Sequence, residues 1–283
     1  FGTRPAVQAN LTVSEFDAGL YFPSKAAAFS HRWQTLKPQD TVSKIRAFFD
    51  ELAFLNNIDV ALKLRAGTIS FAEIEARKID ADLLARQGTL DVKNFTVQNI
   101  FGADVALNGM MHRFGAEPAF KDLRLDVDTD KFQTFVSNFG LNALPAEITR
   151  YNASRLSIAA TGDLTSFEFS LSAANSVAKL DASGEARMLG DGYGIDCKAK
   201  ITHYNFRQFV RLFTEKYRSM VANPGVLNLE AYVRHTPQKT ELLSFEAKIG
   251  ESGLIGEMSW EKTGDLPLLT MNVQAQKFFY TQI

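Results

Sequence analysis

Ile58-Asp-Val-Ala-Leu-Lys-Leu-Arg65 is the stretch on which the fold turns. Ile58, Val60, Leu62 and Leu64 alternate with Asp59, Ala61, Lys63 and Arg65. A period of two is that of an extended strand with one apolar and one polar face. The same rhythm recurs in Leu123–Asp128, Phe167–Leu171, Ile195–Ile201, Leu227–Arg234, Leu243–Ile249 and Leu269–Val273. Strands of this kind belong in antiparallel sheets with one dry face, because buried parallel strands read as unbroken apolar runs. The fold class expected is therefore mainly β.

Three segments change the period from two to three or four. Thr41 to Leu55 spaces Val42, Ile45, Phe48, Phe49 and Leu52 as a helix after Asp40, a residue suited to capping. Asp130 to Phe139 sets Phe132, Phe135, Val136 and Phe139 on one stripe, with Gly140 as a stop. Phe206 to Val221 does the same with Phe206, Phe209, Val210, Phe213 and Tyr217; Asn205 can cap it and Asn223-Pro224 ends it. The phenylalanines of the second and third stripes are expected to face the sheet.

The pattern also repeats at longer range. Phe132, Phe206 and Phe278 each follow an alternating run, at spacings of 206 − 132 = 74 and 278 − 206 = 72. Gly109, Gly184 and Gly256 lie inside such runs at spacings of 75 and 72. A turn follows each: Gly115-Ala-Glu-Pro118, Gly190-Asp-Gly-Tyr193 and Gly264-Asp-Leu-Pro267. Gly2-Thr-Arg-Pro5 ahead of Phe16 carries the tail of a further copy. The expected organisation is one continuous segment, 1–283, of units of about 73 residues at roughly 57–132, 133–206 and 207–278, with a preceding tail at 1–22. Beginning at Phe1 with no leader, it reads as an excised piece of a longer chain.

Composition narrows the function. Lys plus Arg is 31 and Asp plus Glu is 32, a net charge of −1 that argues against a nucleic-acid binder. There are 23 Phe against 7 Tyr and 2 Trp, which supplies apolar area without polar handles. Catalytic and metal patterns fail one by one. Asp126, Asp128 and Asp130 begin a calcium loop, but Lys131 and Ser137 stand where it needs Gly and Glu. Gly190, Gly192 and Gly194 are followed by a strand, where a phosphate loop needs a helix. His31, His112, His203 and His235 have no zinc spacing and are expected at the surface. Cys197, the single cysteine, falls on an apolar strand face and is expected to be an inert thiol. Sequons at Asn10, Asn94 and Asn152 are no more than chance provides. No enzyme, metal or cofactor is expected.

Alternation puts Ile58, Val60, Leu62, Leu64, Phe95, Leu125, Phe169, Ile201, Leu229, Phe245 and Met271 on dry faces. Two sheets could hide those faces in a sandwich. A single sheet curled on itself would instead leave a trough that acyl chains could fill.

The run Asn57–Phe71, continued by Thr89-Leu-Asp-Val-Lys-Asn-Phe-Thr-Val97 and Ile100-Phe-Gly-Ala-Asp-Val-Ala-Leu-Asn-Gly109, resembles the strand repeats of the AsmA family. The Phe-Gly step before alternating apolar residues and a Gly, and the Gly-x-x-Pro turn before a strand and a short helix, carry the likeness over nearly the whole chain. The helices here are longer, and the middle copy lacks the Pro. The resemblance implies a long curved antiparallel sheet forming an open groove, a β-taco. It implies the periplasmic part of an inner-membrane-anchored protein of a Gram-negative bacterium, its anchoring helix lying outside this segment. It implies lipid acyl chains as the ligand, phospholipid handling between the two membranes, a role in outer-membrane biogenesis, and other envelope proteins as partners. The alternative reading is a scaffold that influences outer-membrane protein targeting without carrying lipid.

Overall fold

The computed structural model describes residues 4–17, 20, 46–47, 49–71, 74–115, 117–132, 134–135, 154–189, 192–211, 225–263 and 266–277. They are mainly strand and fall into two compact units, Phe1–Leu164 and Thr165–Ile283. The first holds β1 (Ala6–Asp17), β2 (Asp59–Phe71), β3 (Ile74–Arg86), β4 (Thr89–Ile100), β5 (Ala103–His112), β6 (Ala119–Thr129) and β7 (Ser154–Asp163). The second holds β8 (Ser166–Asn175), β9 (Ala178–Leu189), β10 (Gly192–His203), the short helix α1 (Phe206–Arg211), β11 (Leu227–His235), β12 (Lys239–Ile249), β13 (Ser252–Thr263) and β14 (Leu266–Lys277). Within each unit the strands hydrogen-bond in chain order, and neither set closes into a barrel.

Tight turns make this order. Gln87-Gly88 between β3 and β4 and Phe101-Gly102 between β4 and β5 have φ of 51°, 75°, 53° and 78°. Two consecutive positive φ values give the two-residue hairpin whose twist matches its strands. Gln and Phe adopt that conformation reluctantly, and the glycines after them do so freely. Phe101 is held there by packing on the buried cluster of Ala103, Val127 and Phe135.

The described pairs are antiparallel with one exception. β1 pairs with β2 in parallel, Ala6 opposite Asp59 and Asp17 opposite Ser70. The expectation of a wholly antiparallel sheet is corrected here, and the reason is the connection. Residues 18–58 separate the two strands, 59 − 17 − 1 = 41 residues, enough to recross the sheet and start again from the same end. The β6–β7 and β10–β11 connections span only 24 and 23 residues (130–153 and 204–226), and both pairs are antiparallel.

The glycine landmarks explain themselves. A Cβ on Gly109 would lie 2.5 Å from the Asp122 carbonyl oxygen; on Gly184, 2.1 Å from that of Asp196; on Gly256, 2.2 Å from that of Asn272. Each glycine lets its strand approach the next one more closely than any side chain permits. The three carbonyls recur at spacings of 74 and 76, so each four-strand interval repeats the same close approach. Register shifts interrupt the ladders at β3·β4, β4·β5, β5·β6, β6·β7, β11·β12, β12·β13 and β13·β14. Extra residues of this kind bend and twist the strands that carry them.

The helical stripes behave as the spacing predicts where they are described. Arg46, Ala47, Phe49, Asp50 and Glu51 are helical, followed by a 3-10 turn at Ala53–Asn56; Asp40, Val42, Ile45 and Phe48 lie outside the described residues. Phe132 and Phe135 are helical and pack on Ala103 and Val127, while Val136, Phe139 and Gly140 are outside. Asn205 caps α1: its Oδ1 accepts the Gln208 amide at 3.1 Å, and its carbonyl accepts the Phe209 amide at 3.1 Å. Phe213, Tyr217, Val221 and Asn223-Pro224 lie outside, as do Gly2, Gly190, Gly264 and Phe278.

Candidate apolar groove

In the first unit the pairing brings five of the expected residues onto one face. Leu64 lies opposite Ala81, Ala81 opposite Phe95, Phe95 opposite Leu107, Leu107 opposite Leu125 and Leu125 opposite Ile158. Leu11 extends this row onto β1. Val60 and Leu62 lie beside it on the same face of β2, opposite Ala85 and Leu83. Ile58 sits one residue before β2 and is half-buried. Directly opposed residues share a face, so the row is an uncharged band across seven strands.

The second unit repeats the arrangement. One row runs Ala173, Leu180, Ile201, Leu229, Ala247, Leu254 and Ala275. A second contains Phe245 between Ala231 and Gly256. A third runs Phe169, Gly184, Cys197, Val233, Leu242, Met258 and Met271. Phe169, Ile201, Leu229, Phe245 and Met271 therefore stand on one face.

The opposite faces carry the charge. Lys63 pairs with Asp82 at 3.2 Å, Arg65 with Asp80 at 3.3 Å and Arg234 with Asp196 at 2.8 Å; Lys198 pairs with Glu230. Arg124 meets Asp126 at 2.8 Å, and its hydrogen bond holds that carboxyl below the usual carboxylate range. Asp181 is lowered likewise by hydrogen bonds from Lys179 and Ser172. Exposed pairs of this sort contribute little to stability. They do keep one face wet and so leave the other as the only dry one.

That dry face is covered unevenly. In the first unit Ala85, Met111 and Phe120 are buried near one set of strand ends, and Ala66, Ile79, Val97 and Val127 near the other. Phe49 stacks on Phe114 with ring centroids 6.0 Å apart, and both are buried. In the second unit α1 lays Phe206 and Phe209 on Leu227, Ala247 and Ile249 at one set of ends. At the other set, Trp260, Leu269 and Met271 are each 57% exposed. All the other expected groove residues are half-buried.

Two residues depart from expectation or refine it. His203, expected at the surface, is only 2% exposed. It ends β10 on the dry face, two residues after Ile201, and the Phe209 ring lies against it at 5.7 Å. Its Nδ1 accepts the Asn205 amide at 3.2 Å, and burial lowers its pKa. His112 and His235 are half-buried, and His31 lies outside the described residues. Cys197 is half-buried on the dry face, and burial pushes its thiol pKa up, as suits an inert thiol.

Sequence reasoning missed the contributions of β1, β3 and β7. In β3, Lys78 at φ 46° breaks the alternation, and Ala81 and Ala85 are too small to announce a face. Ile79, Ala81, Leu83 and Ala85 at spacing two were the available signal. Among the described residues, no cluster of His, Cys, Asp and Glu could hold a metal, and no helix is long and apolar enough to cross a membrane.

Comparison with protein-family models, curated proteins and solved structures returns no match.

Proposed function

We propose that this chain is a lipid-handling segment in which the dry sheet face of each unit offers an open groove for phospholipid acyl chains, in the periplasmic part of an inner-membrane-anchored, AsmA-like protein serving outer-membrane biogenesis. The observation that carries the reading is the uncharged row Leu11, Leu64, Ala81, Phe95, Leu107, Leu125 and Ile158, with its counterparts in the second unit. An acyl chain passing along a sheet needs a lining without charge, because a lone desolvated charge costs several kcal/mol. It also needs a lining incompletely covered by protein, and Leu64, Phe95, Leu107, Leu125 and Ile158 are half-buried while Leu11 is exposed. Each methylene kept from water is worth about 0.8 kcal/mol, so twelve shielded methylenes recover about 10 kcal/mol. No chemical step is involved in this reading. The residues act by shape and apolarity alone.

The test is direct. The purified chain is extracted, and the extract is examined by mass spectrometry for co-purified phospholipid. Phe169→Asp and Phe245→Asp are then compared with the outward-facing Glu168→Gln in a lipid-crosslinking assay. Loss of crosslinked lipid in the Asp variants, with Glu168→Gln unchanged, supports the groove. Folded Asp variants that still carry lipid refute it and favour the scaffold.

A further inference from the structure

The dry face of the second unit is not uniform along its strands. At the ends near α1 its exposed and half-exposed lining is apolar: Leu229 lies opposite Ala247, Ala231 opposite Phe245, and Phe206 and Phe209 pack beside them, while the polar side chains there, His203 and Ser252, are each only 2% exposed. Toward the other ends its chemistry changes. His235 is opposite Ile195 on one side and Thr240 on the other, its Nδ1 lies 2.8 Å from the Thr240 hydroxyl, and Thr240 is opposite Trp260. Tyr193 stands on the same face two residues before Ile195, its ring 5.6 Å from that of Phe167. A hydroxyl–imidazole pair flanked by a tyrosine and an exposed tryptophan thus stands at the open end of the face, whereas the polar side chains at the α1 end, His203 and Ser252, are buried. Rings with an apolar body and a polar tip favour the boundary between hydrocarbon and water.

From this gradient we infer that a phospholipid lies along β11 and β12 in one direction, its glycerol and headgroup end at Tyr193, His235, Thr240 and Trp260 and its acyl ends against α1. This rests on the lipid-handling reading above. The dimensions agree with it. His235 is 235 − 229 = 6 residues from Leu229, roughly 20 Å along a strand. One leaflet occupies half of a hydrocarbon core about 30 Å thick, so a tail fits between the polar border and the helix. The border is open to solvent, since Trp260 is 57% exposed, while the far end is closed by Phe206 and Phe209. A tail can be covered at the closed end, and a hydrated headgroup can be accommodated only at the open one.

The experiment uses two phosphatidylethanolamine probes, one with a diazirine on the headgroup and one with it on the terminal acyl carbon. Each is photolysed with the whole chain, and adducts are mapped by peptide mass spectrometry. The expected result is headgroup labelling on the peptides holding Tyr193, His235 and Trp260, and tail-end labelling on those holding Phe209, Leu229 and Phe245. Trp260→Ala is expected to lower the headgroup adducts several-fold and to leave the tail-end adducts in place. Exchange of the two patterns, or equal labelling of both regions by both probes, overturns the orientation while leaving the lipid reading intact. Absence of labelling by either probe overturns both.

Discussion

The two units carry the same amphipathic sheet but cover it differently. In the first, the dry face is buried at both sets of strand ends along β3 to β6, its middle rows are largely half-buried, and Val7 and Leu11 on β1 are 48% and 49% exposed. In the second, α1 and its neighbours bury one set of ends, while Trp260, Leu269 and Met271 stand exposed at the other. The connections account for the difference. A parallel β1·β2 pair obliges the chain to recross the sheet, and the last part of that crossover brings Phe49 and Leu55 to the ends where β2 begins. At the corresponding ends of the second unit the links are short: residues 190–191, 236–238 and 264–265. Turns of that length reverse a strand and have nothing left over to lay across a face. Cover on an open sheet of this kind is thus a property of the connections, and the strands are indifferent to it.

The comparison can be broken most strongly at the first unit's cover. Phe114 is 4% exposed beneath Phe49, so Phe114→Ala is expected to destabilise that unit by about 3–5 kcal/mol. Denaturant unfolding measures the loss, and increased dye binding to apolar surface reports the uncovered face. Gly184→Ala tests the close approach of strands that both units share. Its Cβ would collide with backbone atoms of Asp196 and Cys197, and about 2–3 kcal/mol is the expected cost. A loss below about 0.5 kcal/mol would mean the strands separate freely there.

A pH titration sharpens the contrast from the side of α1. Burial lowers the His203 pKa from its ordinary 6.5, so the unfolded chain binds the proton more readily than the folded one. Stability is then full above about pH 6.5 and falls as pH drops through the depressed folded value. Denaturation of wild type and His203→Gln across pH 4.5–7.5 is expected to show a slope present in the first and reduced in the second; equal slopes would exclude His203 as the source. The smallest effect belongs to the open end: Trp260→Ala, at a side chain 57% exposed, is expected to change stability by less than about 1 kcal/mol. A larger loss would show that the end is covered in solution.

Most of the sheet was legible because its apolar residues are large and strictly alternate, as in Val60, Leu62 and Leu64 or Leu227, Leu229 and Val233. The phenylalanine stripes were legible for the same reason at helical spacing. Strand direction was not, since a period of two encodes which face is dry and says nothing about which way the neighbour runs. The parallel seating of β1 could be read only from the length of its connection. His203 was misread because a histidine near the end of an alternating run looks like the start of a polar turn, and only the landing of Phe209 on it reveals the burial. Tyr193, Thr240 and Trp260 were passed over because they dilute the apolar pattern, although that dilution is what distinguishes their end of the face.

The parallel pairing of β1 has a kinetic consequence. Elsewhere in the described ladders, partner strands follow one another along the chain, so order can spread strand by strand through loop closures of at most 24 residues. Ala6 meets Asp59 across 59 − 6 = 53 residues of sequence, and among the described strands β1 has no neighbour other than β2 to nucleate on. Within the described sheet it can join only after β2 is in place, and it leaves without disturbing any other described pair. Its amides are expected to gain hydrogen-exchange protection last during refolding and to lose it first under mild denaturant, well before those of β4 or β10.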